Sequence, residues 1–410
     1  MDKEFDLLLW GATGFTGRLT ARHLAERYGV DGKELRWTVG GRSLEKLEAL
    51  RTALNAGDGQ LPPVVADAND PDAMRAAASR ARVVCSAVGP YARYGSHLVG
   101  ACAENGIDYC DLTGEVQWMR AMMDAHGKAA EASGARIVHT CGFDCIPSDL
   151  GVLYVQRAMH ERHGTYAKQV KLRVLDFQGG FSGGTIASMI ELMAQASQDA
   201  AIRALLADPY SLNPPDAERG LDGLDRLTAF YDQDFAAWAA PFVMGPVNTR
   251  VVRRSHALMG HPYGPEFRYD EAIAFPKLPA PGAWAAANAT AAASAGAMGA
   301  MALRPVRELA ARYLPQPGSG PSERQMADGH FKVALLARHP EDRAKNVQAY
   351  VTGDRDPGYG ATAKMLAESA ACLAQDGSNA PGGFSTPATA MGASLIERLG
   401  NHAGVRFSLG

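Results

Sequence analysis

The sequence predicts an α/β protein in which an N-terminal Rossmann-type, doubly wound parallel sheet is followed by a second α+β domain. Two observations predict the first part. Short apolar runs alternate with amphipathic segments over the first 140 residues, and a glycine-rich turn at 11–17 joins the first run to the first amphipathic segment. Such alternation is typical of a parallel sheet with helices on both faces. The rhythm breaks after residue 145, which predicts a different architecture there.

The first domain contains six candidate strands. Each is a short run of apolar residues that ends near a glycine or a polar turn, as expected for strands buried on both faces. They are predicted at residues 5–10, 36–40, 63–67, 81–88, 109–112 and 136–140. Helices are predicted after the glycine turn and at 44–54, 70–78, 95–105 and 117–132, where apolar residues recur at helical spacing. Asp70 before Pro71 is a typical helix start.

The rest of the chain mixes helices and strands. Helices are predicted at 148–162, from a cap at Ser182 towards residue 206, and at 359–374. Strands are predicted at 170–177 and, as a pair, at 331–337 and 346–352, with a loop at 315–321. The segments 247–258 and 267–275 could be strand or short helix. We expect residues 1–147 to form the nucleotide-binding domain, 148–355 a substrate and dimerisation domain, and 356–410 a C-terminal helical segment that packs back on the first.

Composition excludes several classes of protein. The 410 residues carry 41 Lys+Arg against 44 Asp+Glu, a net charge of −3, which argues against a general nucleic-acid binder. With 47% hydrophobic and 21% charged residues, the chain is typical of globular proteins. The six cysteines form no CxxC pair, so we predict no metal site and a reducing, cytoplasmic setting. Residues 283–303 carry no charge but are mostly alanine, which favours a buried or interface helix over a membrane span.

The glycine turn predicts a dinucleotide site. A pyrophosphate needs backbone N–H donors at close range, and the glycines at 11, 14 and 17 leave room for it at the start of a helix. Strand two ends in Gly41-Arg42-Ser43 without an acidic residue, which favours NADP(H) over NAD(H). The predicted cofactor-binding residues are Gly11, Ala12, Thr13, Gly14, Phe15, Thr16, Gly17, Arg42, Ser43, Lys46, Asp67, Val88, Gly89 and Pro90.

Several motifs resemble the saccharopine dehydrogenase-like oxidoreductases. They are Gly-Ala-Thr-Gly-Phe-Thr-Gly at 11–17, Gly-Arg-Ser at 41–43, Val-Gly-Pro-Tyr at 88–91 with Tyr-Gly at 94–95, Tyr-Cys-Asp-Leu-Thr-Gly-Glu at 109–115, and Gly-Phe-Asp-Cys-Ile-Pro-Ser-Asp at 142–149. Later segments, at 248–255, 318–322, 356–359 and 386–388, are similar to the branch of trans-acting enoyl reductases. Ser319 stands where that branch leads us to expect Glu.

The resemblance implies NADPH-dependent reduction of an α,β-unsaturated acyl chain, beside lipid-making polyketide synthases. The substrate would be an acyl group or another small molecule, free or bound to a carrier. Animal relatives of the branch are associated with membranes or lipid droplets, so a peripheral lipid contact stays open, as does a homodimer.

Candidate catalytic residues follow the later strands, at the sheet edge where such folds bind ligands. The set proposed for catalysis is Tyr94, Glu115 and Asp144, and the set proposed for substrate binding is Tyr91, Thr113 and Ser148. Structural alternatives remain: the tyrosines could pack in the core, Glu115 could cap the next helix, and Ser148 could start one. Asp144 would act as a general acid only if burial raised its pKa.

Three functions therefore compete. The first is the enoyl reductase. The second is saccharopine-type reductive amination, which would need arginines converging on small carboxylates. The third is a cofactor-binding scaffold for lipid assemblies with little catalysis. Arg250, Arg253 and Arg254 would share one face of a helix, where they could bind carrier phosphates or form salt bridges.

Overall fold

The chain forms two sheets, as the sequence predicts. The computed structural model describes residues 3–179, 183–313, 320–376 and 380–410. The cap at Ser182, Ser319 and most of the predicted 315–321 loop lie outside these residues.

The described strands, in chain order, are β1 (Phe5–Trp10), β2 (Trp37–Gly41), β3 (Val64–Val65), β4 (Ala81–Ser86), β5 (Asp108–Asp111), β6 (Arg136–Val138), β7 (Gln169–Gln178), β8 (Phe230–Asp232), β9 (Ala237–Pro241), β10 (Arg268–Ala274), β11 (His330–Arg338), β12 (Val347–Gly353), β13 (Gly383–Ser385) and β14 (Val405–Leu409).

The described helices are α1 (Phe15–Tyr28), α2 (Leu44–Ala53), α3 (Pro71–Ser79), α4 (Tyr91–Tyr94), α5 (Ser96–Glu104), α6 (Val116–Ser133), α7 (Ile146–His163), α8 (Gly183–Gln198), α9 (Ala200–Ala207), α10 (Gly245–Leu258), α11 (Ala280–Met301), α12 (Arg304–Tyr313), α13 (Glu323–Asp328), α14 (Gly360–Gln375), α15 (Pro387–Ala390) and α16 (Gly392–Arg398). A 3₁₀ turn spans Arg343–Lys345 and a π-helical turn Leu399–Ala403.

The first sheet is parallel, and its described strands run in the order β13-β6-β5-β4-β1-β2-β3. The strand order reverses between β1 and β4, so the loops after these two strands open a crevice at the carboxyl edge of the sheet. The buried strand residues, such as Leu7, Leu9, Val83 and Cys85, explain why continuous apolar runs predicted this sheet. Asp70 caps α3 by accepting hydrogen bonds from the N–H groups of Asp72 and Ala73, as expected.

The second sheet is mixed, with the described order β14-β12-β11-β7-β10-β9-β8. Strands β11 and β12 pair antiparallel, which confirms the predicted pair. Of the two undecided segments, 247–258 lies in helix α10 and 267–275 contains strand β10. Tertiary contacts decide between them, because α10 packs on α7 and β10 pairs with β7 and β9.

The last part of the chain returns to the first sheet. Helix α14 is buried along most of its length and packs against α1, β4 and β5. Strand β13 then extends the first sheet beside β6, whereas β14 joins the second sheet beside β12. The segment 356–410, expected to be helical, therefore contributes strands to both sheets.

The uncharged 283–303 segment lies almost entirely in α11, which packs against β9 through Ala283, Ala287 and Ala291. Much of the rest of the helix is exposed, including Trp284 and Met298. Within the described ranges, no helix has both the length and the apolar character that crossing a bilayer requires.

Candidate active site

The glycine loop, residues 11–17, forms the first part of the site. Gly11 has a φ of +81°, and a Cβ there would meet the Val88 side chain at 2.3 Å. At Gly17 a Cβ would lie 2.1 Å from the Gly11 carbonyl oxygen. These two glycines are therefore required by the packing of the loop itself, the first also by its left-handed conformation.

Gly14 differs from the other two glycines. Its φ of −70° suits any residue, and a Cβ there would meet one atom, the Gly11 carbonyl oxygen at 3.3 Å, with open space otherwise. Gly14 precedes α1, whose first N–H groups, on Phe15, Thr16 and Gly17, donate to no other described residue. Free donors beside open space suit a pyrophosphate at a helix N-terminus. The loop thus fits a dinucleotide.

The predicted cofactor-binding residues after β2 and β3 differ in whether their side chains already bond other residues. Arg42 follows β2, is exposed, and forms no ion pair or hydrogen bond with another described residue. Ser43 caps α2 by accepting from the Lys46 N–H at 3.4 Å, and the Lys46 side chain is exposed. The Asp67 carboxylate accepts from Asn69 and so organises its own turn. Arg42 is consequently available to an anionic group at the tip of β2.

The other loop residues lie nearby. Ala12 bonds the Gly40 carbonyl through its N–H, and the Thr13 carbonyl accepts from Arg18. The Phe15 ring packs edge-on against Tyr359, with ring centroids 5.2 Å apart. After β4, the Val88 side chain lies in the space that a Cβ on Gly11 would need. Gly89 is exposed and precedes Pro90 at the start of α4.

Glu115 holds the loops after β4 and β5 together. One carboxylate oxygen accepts from the Tyr91 N–H at 2.8 Å and from the Ser188 hydroxyl at 2.8 Å, and the other accepts from the Ala92 N–H at 2.9 Å. Glu115 does occupy the N-cap position of α6, where its carbonyl accepts from the Trp118 and Met119 N–H groups. Its carboxylate, however, makes no cap bond to α6 and binds the start of α4 instead. Burial raises the pKa of Glu115. Three acceptor bonds support a positioning role.

Tyr91 and Thr113 are also engaged by the loops. The buried Tyr91 hydroxyl donates to the Ser86 carbonyl at 3.0 Å, and Thr113 Oγ1 accepts from the Glu115 N–H at 3.1 Å. Tyr94 is half-buried, and its hydroxyl bonds no other described residue. Of the two tyrosines, Tyr94 therefore has the hydroxyl that remains free for a ligand.

Asp144 follows β6 at the same sheet edge and lies against the second sheet. Its Oδ1 is buried and has no hydrogen-bond partner within the described residues. Burial raises the pKa of Asp144 to about 7, and the nearby carboxylate of Glu271 contributes in the same direction. The preceding Phe143 ring packs against Phe331, with centroids 4.9 Å apart, and against Phe242 at 6.5 Å. Asp144 is thus an acid with a pKa near neutrality, next in sequence to one ring of an aromatic cluster.

Glu271, on β10, is a residue that sequence reasoning missed. Its carboxylate accepts from the Tyr269 hydroxyl at 2.6 Å and from Asn248 Nδ2 at 2.9 Å. Ser148, in the first turn of α7, lies near enough to Glu271 to lower its pKa. No motif marks Glu271, because an acidic residue in an alternating strand is ordinary. The ambiguity of segment 267–275 concealed that it shares a face with the buried Leu172 of β7.

The arginines of α10 do not enter the cleft. Arg250 pairs with Asp225 at 2.9 Å, and Arg253 pairs with Asp222 at 2.7 Å. Arg254 bonds the carbonyl groups of Leu212 and Phe384. All three are buried. Their ion pairs and hydrogen bonds connect α10 to the 206–225 segment and to β13. The salt-bridged interpretation is confirmed for Arg250 and Arg253.

Helix α8 crosses the edge from the other side. Besides the Ser188 bond to Glu115, Glu191 pairs with Arg93 at 2.8 Å and Gln195 accepts from Gln117 at 3.2 Å. The second part of the chain therefore closes over the loops that follow β4 and β5.

Comparison with known proteins agrees with this geometry. Residues 7–138 match the family model described as the saccharopine dehydrogenase NADP-binding domain. Apo saccharopine dehydrogenase (L-Glu forming) from Saccharomyces cerevisiae shares the fold, with a TM-score of 0.53 at 13% identity, covering 99% of this chain and 100% of that one. The fold and the glycine loop define an NADP-dependent oxidoreductase acting on a small-molecule substrate.

The relatives identify the family. The trans-acting enoyl reductase of Mycobacterium leprae is 39% identical over 418 residues, covering 97% of this chain and 96% of the relative. The trans-acting enoyl reductase of Mycobacterium tuberculosis is 39% identical over 414 residues, with the same coverage of both chains. The chain belongs to the trans-acting enoyl reductase family.

Proposed function

We propose that this protein reduces the double bond of an α,β-unsaturated acyl group with NADPH and that Asp144 donates the proton. The observation that carries the proposal is the buried Asp144 Oδ1, which has no hydrogen-bond partner among the described residues, in a carboxyl whose pKa burial raises to about 7. The preceding Phe143 ring packs with Phe242 and Phe331. The names of the relatives supply the reaction class.

One set of residues would bind the cofactor, and Asp144 would protonate the substrate. The N–H groups at the start of α1 would hold the pyrophosphate, and Arg42 would hold the 2′-phosphate. NADPH, when bound, supplies a hydride to the β-carbon of the acyl group. Asp144 then gives its proton to the α-carbon, so that a new C–H bond forms, the O–H bond breaks and Asp144 becomes a carboxylate. Solvent returns the proton to Asp144 before the next turnover.

Other predicted residues would orient the substrate. We propose that the free Tyr94 hydroxyl donates to the carbonyl oxygen of the acyl group, where negative charge develops. Glu115, Tyr91 and Thr113 would keep the loops after β4 and β5 in place, since their polar atoms are already bonded to one another or to the backbone. Ser148 would act through Glu271.

The charges of the site favour an acyl substrate over an amino acid. Saccharopine-type reductive amination needs cations that bind free carboxylates, and the α10 arginines are committed elsewhere. The Glu271 carboxylate, which acts on Asp144, would repel a free carboxylate. The packed rings of Phe143, Phe242 and Phe331 favour a neutral, apolar chain.

The experiment is NADPH oxidation, followed by absorbance, against a panel of enoyl thioesters and a panel of keto-acid plus amino-acid pairs. We expect turnover with the first panel. Turnover with the second panel alone would replace the proposal by saccharopine-type chemistry. Tight NADPH binding with no turnover on either panel would favour the scaffold.

We further propose that the acyl chain arrives as a thioester on a separate carrier, which the words "trans-acting" in the relatives' names support. A higher kcat/KM for carrier-bound than for free thioesters would agree with this.

Residues 1–147 would bind the cofactor and 148–355 the substrate. The exposed Trp284 and Met298 of α11, with Leu303 just after it, support this helix as the surface for a homodimer or a lipid contact. Sedimentation and vesicle flotation test these two possibilities.

A further inference from the structure

We infer that Glu271 is a positioning residue that keeps the proton on Asp144, so that the two side chains work as a pair with one proton and one negative charge. This inference rests on the proposed function, in which Asp144 is the acid. It concerns a residue from the second sheet that no motif of the chain marks.

The hydrogen bonds of the two carboxyls are unequal. Glu271 accepts from two donors, the Tyr269 hydroxyl at 2.6 Å and the Asn248 amide at 2.9 Å. Asp144 Oδ1 accepts from none of the described residues. Donors stabilise an ionised carboxylate, whereas a buried carboxyl without donors retains its proton. Burial raises the pKa of both carboxyls, but only at Glu271 do hydrogen-bond donors counteract it. This asymmetry assigns the charge to Glu271 and the proton to Asp144, as expected when two neighbouring acids lie in different environments.

The position of Glu271 is determined by several elements. Strand β10 places it on the face of the second sheet that also carries Leu172, and Asn248 reaches it from the first turns of α10. A Cβ on Gly245 would lie 3.9 Å from the Glu271 Cβ, so the start of α10 lies directly over the carboxylate. Glu271 can thus retain its place while Asp144 gives up and regains a proton.

The surrounding charged groups act in the same direction. Tyr269 faces Glu271 from its own strand, and Asp144 and Cys145 are the titratable neighbours in the loop after β6. Burial and the Glu271 carboxylate raise the pKa of Tyr269 and of Cys145, so both remain neutral. Asp270 points to the opposite face of the sheet, where it pairs with Arg173 at 2.6 Å.

The test compares Glu271→Gln with Asp270→Asn, which removes the same charge from the same strand on the other face. An acid loses activity as the pH rises through its pKa. Without the Glu271 charge, the alkaline limb of the pH profile should move down by about one pH unit. Asp270→Asn and the charge-conserving Glu271→Asp should keep the wild-type limb. A limb that stays in place in Glu271→Gln, or that moves equally in Asp270→Asn, would overturn the inference.

A second readout uses the protein without substrate. Infrared titration follows the C=O stretch of a protonated carboxyl group, which we expect to vanish in Asp144→Asn and to titrate at lower pH in Glu271→Gln. A band that survives in Asp144→Asn and disappears in Glu271→Gln would place the proton on Glu271 and refute the pairing. Because this titration needs no turnover, it tests the pair even if the panels exclude enoyl reduction.

Discussion

The glycine loop and the proposed carboxyl pair, Asp144 with Glu271, are built in opposite ways. The loop offers backbone N–H groups from three consecutive residues next to an open space at Gly14. The pair needs side chains from the loop after β6 and from β10, which lie 127 positions apart in the chain. Burial raises the pKa of both carboxyls. A site made of backbone depends on local conformation, whereas a site made of buried side chains depends on how the two sheets meet. Substitutions at the two sites should therefore have different effects on turnover and on cofactor binding.

The largest effect is expected for Asp144→Asn. Removing the acid should lower kcat on an enoyl thioester by about 100- to 10,000-fold, the usual contribution of general acid catalysis. The affinity for NADPH should not change, because the glycine loop is untouched. Stopped-flow turnover and fluorescence titration measure the two quantities, with Asp270→Asn as the control. Near-normal turnover in Asp144→Asn would remove Asp144 from the mechanism.

Gly14→Val should have the reverse effect. The valine side chain would fill the open space at the loop, and each charge-assisted hydrogen bond lost costs about 1.5–3 kcal/mol, so NADPH affinity should fall at least about 100-fold. Thermal unfolding without cofactor should remain near wild type.

Gly17→Ala is the matched control for the loop. A Cβ there would overlap the Gly11 carbonyl oxygen at 2.1 Å, so this variant should lose stability, by about 1–3 kcal/mol, even without cofactor. If Gly14→Val were the less stable of the two, Gly14 would be a packing residue and the open space would have no role in binding.

The carboxyl pair should also appear in the pH dependence of stability. The folded state raises the pKa of Asp144 to about 7, so it favours the protonated form. That stabilisation is complete below the ordinary Asp pKa and is lost as the pH rises through 7. Relative to Asp144→Asn, wild-type stability should therefore fall by about 2 kcal/mol between pH 5 and pH 8. Urea unfolding of both proteins at the two pH values measures this, and a parallel change in both would argue against a buried proton.

The smallest effect is expected at the tip of β2. Arg42→Ala should weaken NADPH binding about tenfold or somewhat more, through loss of one contact worth about 1.5–3 kcal/mol, and leave NADH binding unchanged. Arg75→Ala removes another exposed arginine, on α3, and should change neither affinity. Equal losses for NADPH and NADH in Arg42→Ala would mean that Arg42 does not read the 2′-phosphate.

The sequence predicted the parts that depend on neighbouring residues. The first strand, the glycine loop and the Asp70 cap follow from local patterns, and the structure contains each of them. The strand predicted at 81–88 ends at Ser86, two residues earlier.

The remaining parts of the site required the tertiary structure. Asp144 was proposed with the condition that burial would raise its pKa, and only the contact with the second sheet provides that burial. The acceptor role of Glu115 was missed because its donors, Tyr91 and Ala92, precede it by more than twenty residues and Ser188 follows it by 73. The identity of Glu271 depended on the pairing of β10 with β7, which no short-range pattern reveals.

The return of α14 and β13 to the first sheet has a consequence for synthesis on the ribosome. Until residue 385 has emerged, β6 is an open sheet edge and the surface that α14 covers is exposed apolar protein. At about 5–20 residues per second, the 247 residues between β6 and the end of β13 take roughly 10–50 s to translate. The nascent N-terminal half therefore keeps an unpaired strand edge and an uncovered apolar surface throughout that interval, until α14 and β13 have emerged.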